Sequence, residues 1–89
     1  LQDLTMAFKG HQANGVDYTL GAEVIHDTVA HTGRFHHIDF YENTQIDTII
    51  STNMTGNTLN GESFPAGFEL RGLFTSIRLQ NGACIAYKV

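Results

Sequence analysis

Five histidines occur among 89 residues, and four of them, His26, His31, His36 and His37, fall in one short stretch. Imidazole is the commonest metal ligand and exchanges protons near neutral pH, so a metal centre or an acid–base site is the chemistry to weigh. The spacing argues against an intrachain metal site. His36 and His37 are adjacent, and neighbouring side chains on a strand point to opposite faces, where they cannot readily share an ion. His26 and His31 flank an expected turn or strand end at a separation with no recognised ligand signature, whereas a metal site needs three or four convergent ligands. The histidines therefore read as half-buried or solvent-facing polar residues on a β surface. An oligomer offers one other route, in which an inward histidine from each of three subunits meets on an axis.

A second arrangement is cupin-like. Gly33-Arg34-Phe35-His36-His37, Glu42, Gly61 and Pro65-Ala66-Gly67 look like fragments of the two cupin motifs. The cupin pattern separates its two histidines by one residue and places another shortly after the Pro-x-Gly turn. Here the histidines are adjacent and Phe68-Glu69-Leu70 follows the turn, so that ligand set is incomplete. A small cupin-like metal protein using His36 or His37 with Glu42 is the alternative from another functional class.

Other catalytic templates are missing. There is no Gly-x-Ser-x-Gly elbow and no phosphate-binding Gly-rich loop before a helix. Cys84, the single cysteine, is expected on the less apolar face of the last strand with no base beside it. Asp27 next to His26, and Asp39 near His37, come with no nucleophile. Asn53-Met54-Thr55 fits the glycosylation acceptor pattern, but ten threonines and six asparagines make a chance match easy. The expectation is a protein without catalytic residues, cofactor or metal ligands, and not an enzyme.

Composition narrows the classes further. Charged residues make up 16% of the chain, against about 25% in typical soluble domains. Lys9, Arg34, Arg71, Arg78 and Lys88 are scattered through a chain of net charge −4. Nucleic-acid binding needs a concentrated basic stripe to neutralise phosphates, so no nucleic-acid partner is expected. No apolar run approaches the roughly 20 residues that span a bilayer as a helix, and a soluble chain with no membrane partner is expected. One domain fits this length, near the lower limit for a single core. With one cysteine there is no intramolecular disulfide, and association is the remaining common route to stability.

The elements that must position these residues are strands. Asn-Gly pairs at 14, 60 and 81 mark chain reversals, and no window shows sustained helical periodicity. Strands are expected over 24–30, 34–41 and 44–52, with a short one over 58–59. Phe64-Pro65-Ala66-Gly67 reads as a turn, and Gly72 as a bend between strands over 68–70 and 73–79. The last stretch reads as a hairpin. A three-residue Gln80-Asn81-Gly82 loop pairs Leu79 with Ala83, Ile77 with Ile85 and Thr75 with Tyr87, which gathers Leu73, Thr75, Ile77, Leu79, Ala83, Ile85, Tyr87 and Val89 on one face. Gly82 then takes the left-handed position of a bulge-type turn. Residues 1–22, with a short strand around 16–20, read as an N-terminal arm or edge segment, and 23–89 as the β domain. The fold class is all-β: a small antiparallel β-sandwich, jelly roll or barrel of six to eight strands.

The C-terminal third carries a resemblance. Phe64-Pro65-Ala66-Gly67, Gly72-Leu73-Phe74-Thr75-Ser76-Ile77-Arg78-Leu79, Gly82 and Ile85-Ala86-Tyr87-Lys88 are similar to small tailed-phage virion proteins that decorate or cement the capsid or form short head spikes. The resemblance covers about 26 residues, the stretch Phe64 to Val89, and leaves the rest of the chain unmatched. It implies a structural bacteriophage protein, usually a homotrimer, on the outer capsid surface. Its partners would be copies of itself and the major capsid protein, and it brings no catalytic residues. A carbohydrate-binding β domain of a spike or fibre has the same punctuation. Phe35, Phe40, Tyr41, Phe64, Phe68 and Phe74 are the candidate anchors for burying contact surface.

Overall fold

The computed structural model describes residues 19–89. Residues 16–18 of the expected short strand around 16–20 and most of the arm lie outside them, and 19–20 form a turn. The described chain is all-β: β1 (Ala22–Ile25), β2 (His31–Phe40), β3 (Thr44–Ser51), β4 (Ser63–Phe64), β5 (Glu69–Asn81) and β6 (Cys84–Lys88). They form one sheet in the order β1-β6-β2-β5-β3-β4, antiparallel throughout.

The C-terminal hairpin does not form. β2 lies between β5 and β6. Ile77 is opposite His31 and Ile49, Ile85 is opposite Val24 and Asp39, and Tyr87 is opposite Ala22 and His37. The reason is the length and bend of β5. Its start is opposite Asp39 and its end opposite Gln45, two positions joined by a tight turn. A straight strand of this length would span about 40 Å, so β5 curves back and the sheet curls with it. Phe74, near its middle, pairs with both Phe35 and Ser51. A register shift spans Gly72, which continues one strand where a break between two was expected.

The curled sheet encloses one core of Ile25, Phe35, Ile38, Phe40, Ile46, Phe74, Ile77, Leu79, Cys84 and Ala86. Every strand except the two-residue β4 contributes. Ile77 and Leu79 face inward as their alternation predicts, but β6 is turned the other way. Cys84 and Ala86 are buried while Ile85 and Tyr87 are only half-buried, because β6 takes its register from β1 and β2 and not from β5. In β2, Phe35, Ile38 and Phe40 share the core despite the odd spacing from 35 to 38. A register shift between Phe35 and His37 absorbs the extra residue.

Two turns keep their predicted roles. Phe68 N–H donates to the Pro65 carbonyl at 3.1 Å with Gly67 at φ 89°, and Glu62 N–H donates to Leu59 at 3.1 Å with Gly61 at φ 84°. The segment expected as a strand over 24–30 ends at Ile25, and residues 26–30 loop into β2; no strand forms over 58–59. The β5–β6 connection crosses the Tyr41–Asn43 turn. Thr44 Oγ1 lies within hydrogen-bonding distance of the Glu42 and Ala83 carbonyls (2.8 and 3.1 Å) and accepts from Ala83 N–H at 3.1 Å.

Candidate functional site

The register shift in β2 decides where the histidines go. It keeps Ile38 and Phe40 in the core and turns His37 toward Tyr87, its neighbour on β6, with ring centroids 5.8 Å apart and an edge-on angle of 88°. Two residues on, Asp39 lies on the same side of the strand, and Glu69 faces Asp39 across the β2–β5 ladder. His37 Nε2 is 2.9 Å from Asp39 Oδ1 and 3.3 Å from Glu69 Oε1. The imidazole is 3% exposed, whereas both carboxylates reach solvent.

These three side chains offer ligand atoms within 4.8 Å of one another, which is the donor count of a cation site. The surrounding support is missing. A ligating histidine almost always donates its other ring N–H to a partner, and His37 Nδ1 is buried with none. An Nε2–H donated to Asp39 instead leaves Nδ1 as a bare lone pair, a cheaper group to bury unpaired than an N–H. Glu69 is also held by Arg71, Nη2 to Oε1 at 3.3 Å. The trio reads as a hydrogen-bonded pin across two strands. The cupin-like grouping does not assemble: His37 meets Asp39 and Glu69, while Glu42 belongs to no ligand group and His36 Nε2 has no hydrogen-bond partner.

A second histidine is more fully engaged. His31 opens β2, with Nδ1 2.9 Å from Glu23 Oε2 on β1 and Nε2 2.8 Å from Asp27 Oδ1 in the 26–30 loop. Glu23 first and Asp27 second hold the ring in its charged form and raise its pKa above the ordinary histidine value. Asp27 is lowered, chiefly by the same hydrogen bond from His31 and then by Val29 N–H. Asp27 and His31 stand four apart in sequence, but Glu23 reaches them only through the curl of the sheet.

Cys84 is buried in the core, and burial pushes its thiol up to about 12. Two surface clefts, of about 250 and 490 Å³, are lined respectively around Met54 and Leu59 and around Asn43 and Pro65. Neither is lined by an acidic, basic or thiol side chain, so neither offers acid–base chemistry.

The aromatic residues are arranged differently. Phe40, in the core, stacks on Phe64 with centroids 5.0 Å apart at 12°, and Phe64 stacks on Phe68 at 4.9 Å and 30°. Phe68 is 41% exposed and Tyr41, beside Phe40 in sequence, is 46% exposed. The Pro65–Phe68 turn fixes this ladder, since Gly67 N–H donates to Phe40 O at 2.6 Å and Phe40 N–H to Phe68 O at 3.1 Å. Comparison with known proteins finds no matching family model, no matching curated protein and no matching solved structure. Function must therefore be argued from the chain's own residues.

Proposed function

We propose that this chain is a structural virion protein, a capsid decoration or cement protein that acts as a homotrimer and stabilises a phage head by binding across capsomers. The observation that supports the reading is the ladder from Phe40 through Phe64 to Phe68. An aromatic ring that is exposed yet backed by stacked rings reaching into the core is already ordered before it binds. Contact surfaces draw most of their energy from a few such anchors, and little side-chain entropy is lost when the anchor is rigid. The low charge fits a protein whose work is adhesion. The likeness of the C-terminal third to decoration proteins supplies the partner.

The test is assembly and capsid binding by the full chain. Light scattering should give the mass of a trimer, and the protein should co-sediment with expanded tailed-phage capsids. Phe68→Ala should weaken that co-sedimentation at least tenfold while the far-ultraviolet circular dichroism stays unchanged. A stable monomer with no capsid affinity overturns the proposal. Glycan binding that Phe68→Ala abolishes, without capsid binding, would replace it with the carbohydrate-binding reading.

A further inference from the structure

Glu23 stands two residues from Ile25 on a four-residue strand whose Ile25 packs in the core. Side chains two apart on a strand share a face, so Glu23 is a carboxylate on the inner side of β1. Among the described residues β1 is paired only with β6, and it stands at one end of the sheet. Its carboxylate lies across the opening of the curled sheet against the first residue of β2, and His31 is half-buried there at 17% exposure. The same ring reaches Asp27 through its other nitrogen. One imidazole thereby ties an end strand, the loop that follows it and the next strand together.

The protons must be counted. A neutral imidazole carries one N–H and one lone pair, so it can donate to one carboxylate only. The second nitrogen would then set a lone pair against a carboxylate oxygen at 2.8 or 2.9 Å, an acceptor facing an acceptor. Both contacts are hydrogen bonds only when the group holds one proton more than a neutral imidazole and two carboxylates do. We propose that His31 is a protonated clasp, and that losing its proton releases β1 and the 26–30 loop from the start of β2.

Neighbouring charged groups hold the acids and the loop in place. Lys88 on β6 places Nζ 3.9 Å from Glu23 Oε1. From β5, Arg78 Nε donates to Thr28 O at 3.0 Å and lies 3.8 Å from Asp47 on β3, which holds the loop from its other side. Val29 N–H donates to the same Asp27 oxygen that His31 uses, at 3.2 Å, and His26 is the remaining titratable side chain near Asp27. The two acids bracket His31, and the two bases hold what the acids are attached to.

The sign follows from the direction of the shift. The His31 pKa is raised in the folded chain, so its contribution to stability is complete below the unfolded value of about 6.5. It is lost as pH rises through the folded value. This inference does not rest on capsid adhesion, because it concerns the isolated chain alone.

Long-range proton–nitrogen NMR of the wild-type chain reads the clasp directly. The His31 midpoint should lie above the ordinary histidine value of about 6.5, with protons on both ring nitrogens below that midpoint. Asp27→Asn and Glu23→Gln should each bring the midpoint down toward that ordinary value. Hydrogen exchange over 22–30, corrected for intrinsic base catalysis, should accelerate as His31 deprotonates, and His31→Gln should abolish that step. A wild-type His31 that titrates at or below the ordinary histidine value of about 6.5 overturns the clasp, as does a step in exchange that persists in His31→Gln. The wild-type titration stands even if the variant fails to fold.

Discussion

At the scale of single residues, the chemistry of this chain is set by which polar groups found partners. His31 has both ring nitrogens engaged and His37 has one, although the sequence offers no reason to rank them differently. The sequence sets Asp27 beside His26, and the contacts of His31 with Asp27 and Glu23 were not visible in it, because they depend on how the loop and the sheet fold back. Cys84 shows how a face assignment propagates into chemistry. Placed on the exposed side of a hairpin it would be an ordinary thiol, but in the core its ionisation is pushed up to about 12. The thiolate is the reactive form, so a disulfide reagent such as DTNB should label native protein at least a hundredfold more slowly than unfolded protein. Labelling should speed up with denaturant in step with unfolding. Fast stoichiometric labelling of native protein would show that Cys84 is not in the core.

At the scale of elements, some glycines permit only a backbone angle and others also permit contact, Gly72 against the Met54 and Phe74 side chains and Gly82 against backbone. Gly56 has φ 104° with open space around it, whereas Gly82 has φ 96° and a Cβ there would lie 2.5 Å from Thr44 Cα and 2.6 Å from Asn43 O. Gly82 was expected as the bulge residue of a hairpin. Its left-handed angle is as expected, but its place is a crossing, where the β5–β6 connection passes over the β2–β3 turn. Gly56→Ala should therefore cost about 1 kcal/mol, the price of the angle alone. Gly82→Ala should cost roughly 3 kcal/mol or more, because backbone must move as well. Urea midpoints of the two variants measure the difference, and equal midpoints would mean that the crossing is not closely packed. The Pro65–Phe68 and Leu59–Glu62 turns were legible because their chemistry is local, with glycine at the one position that needs positive φ.

At the scale of the whole molecule, the curl makes one core out of strands that are far apart in sequence. Phe74 sits where β5 pairs with both β2 and β3. Truncating a buried phenylalanine costs about 3–5 kcal/mol, a large part of the 5–15 kcal/mol that holds a typical domain together. Phe74→Ala should lower the denaturation midpoint accordingly, with circular dichroism and tyrosine fluorescence changing together as one transition. Separate transitions for the two probes would show that the halves flanking β5 are independent. The all-β class, the absence of helix from the described residues and most strand positions were determined by the sequence alone, because β-branched residues, alternation and Asn-Gly or Pro-x-Gly turns act over a few neighbours. Only the tertiary structure decided that β2 enters between β5 and β6, that Cys84 faces inward, that Glu23 reaches His31 and that Phe68 stacks outward from the core. Alternation fixes which side chains share a face within a strand but not which strand lies beside it, and that choice belongs to the bend of β5 and the single core it closes.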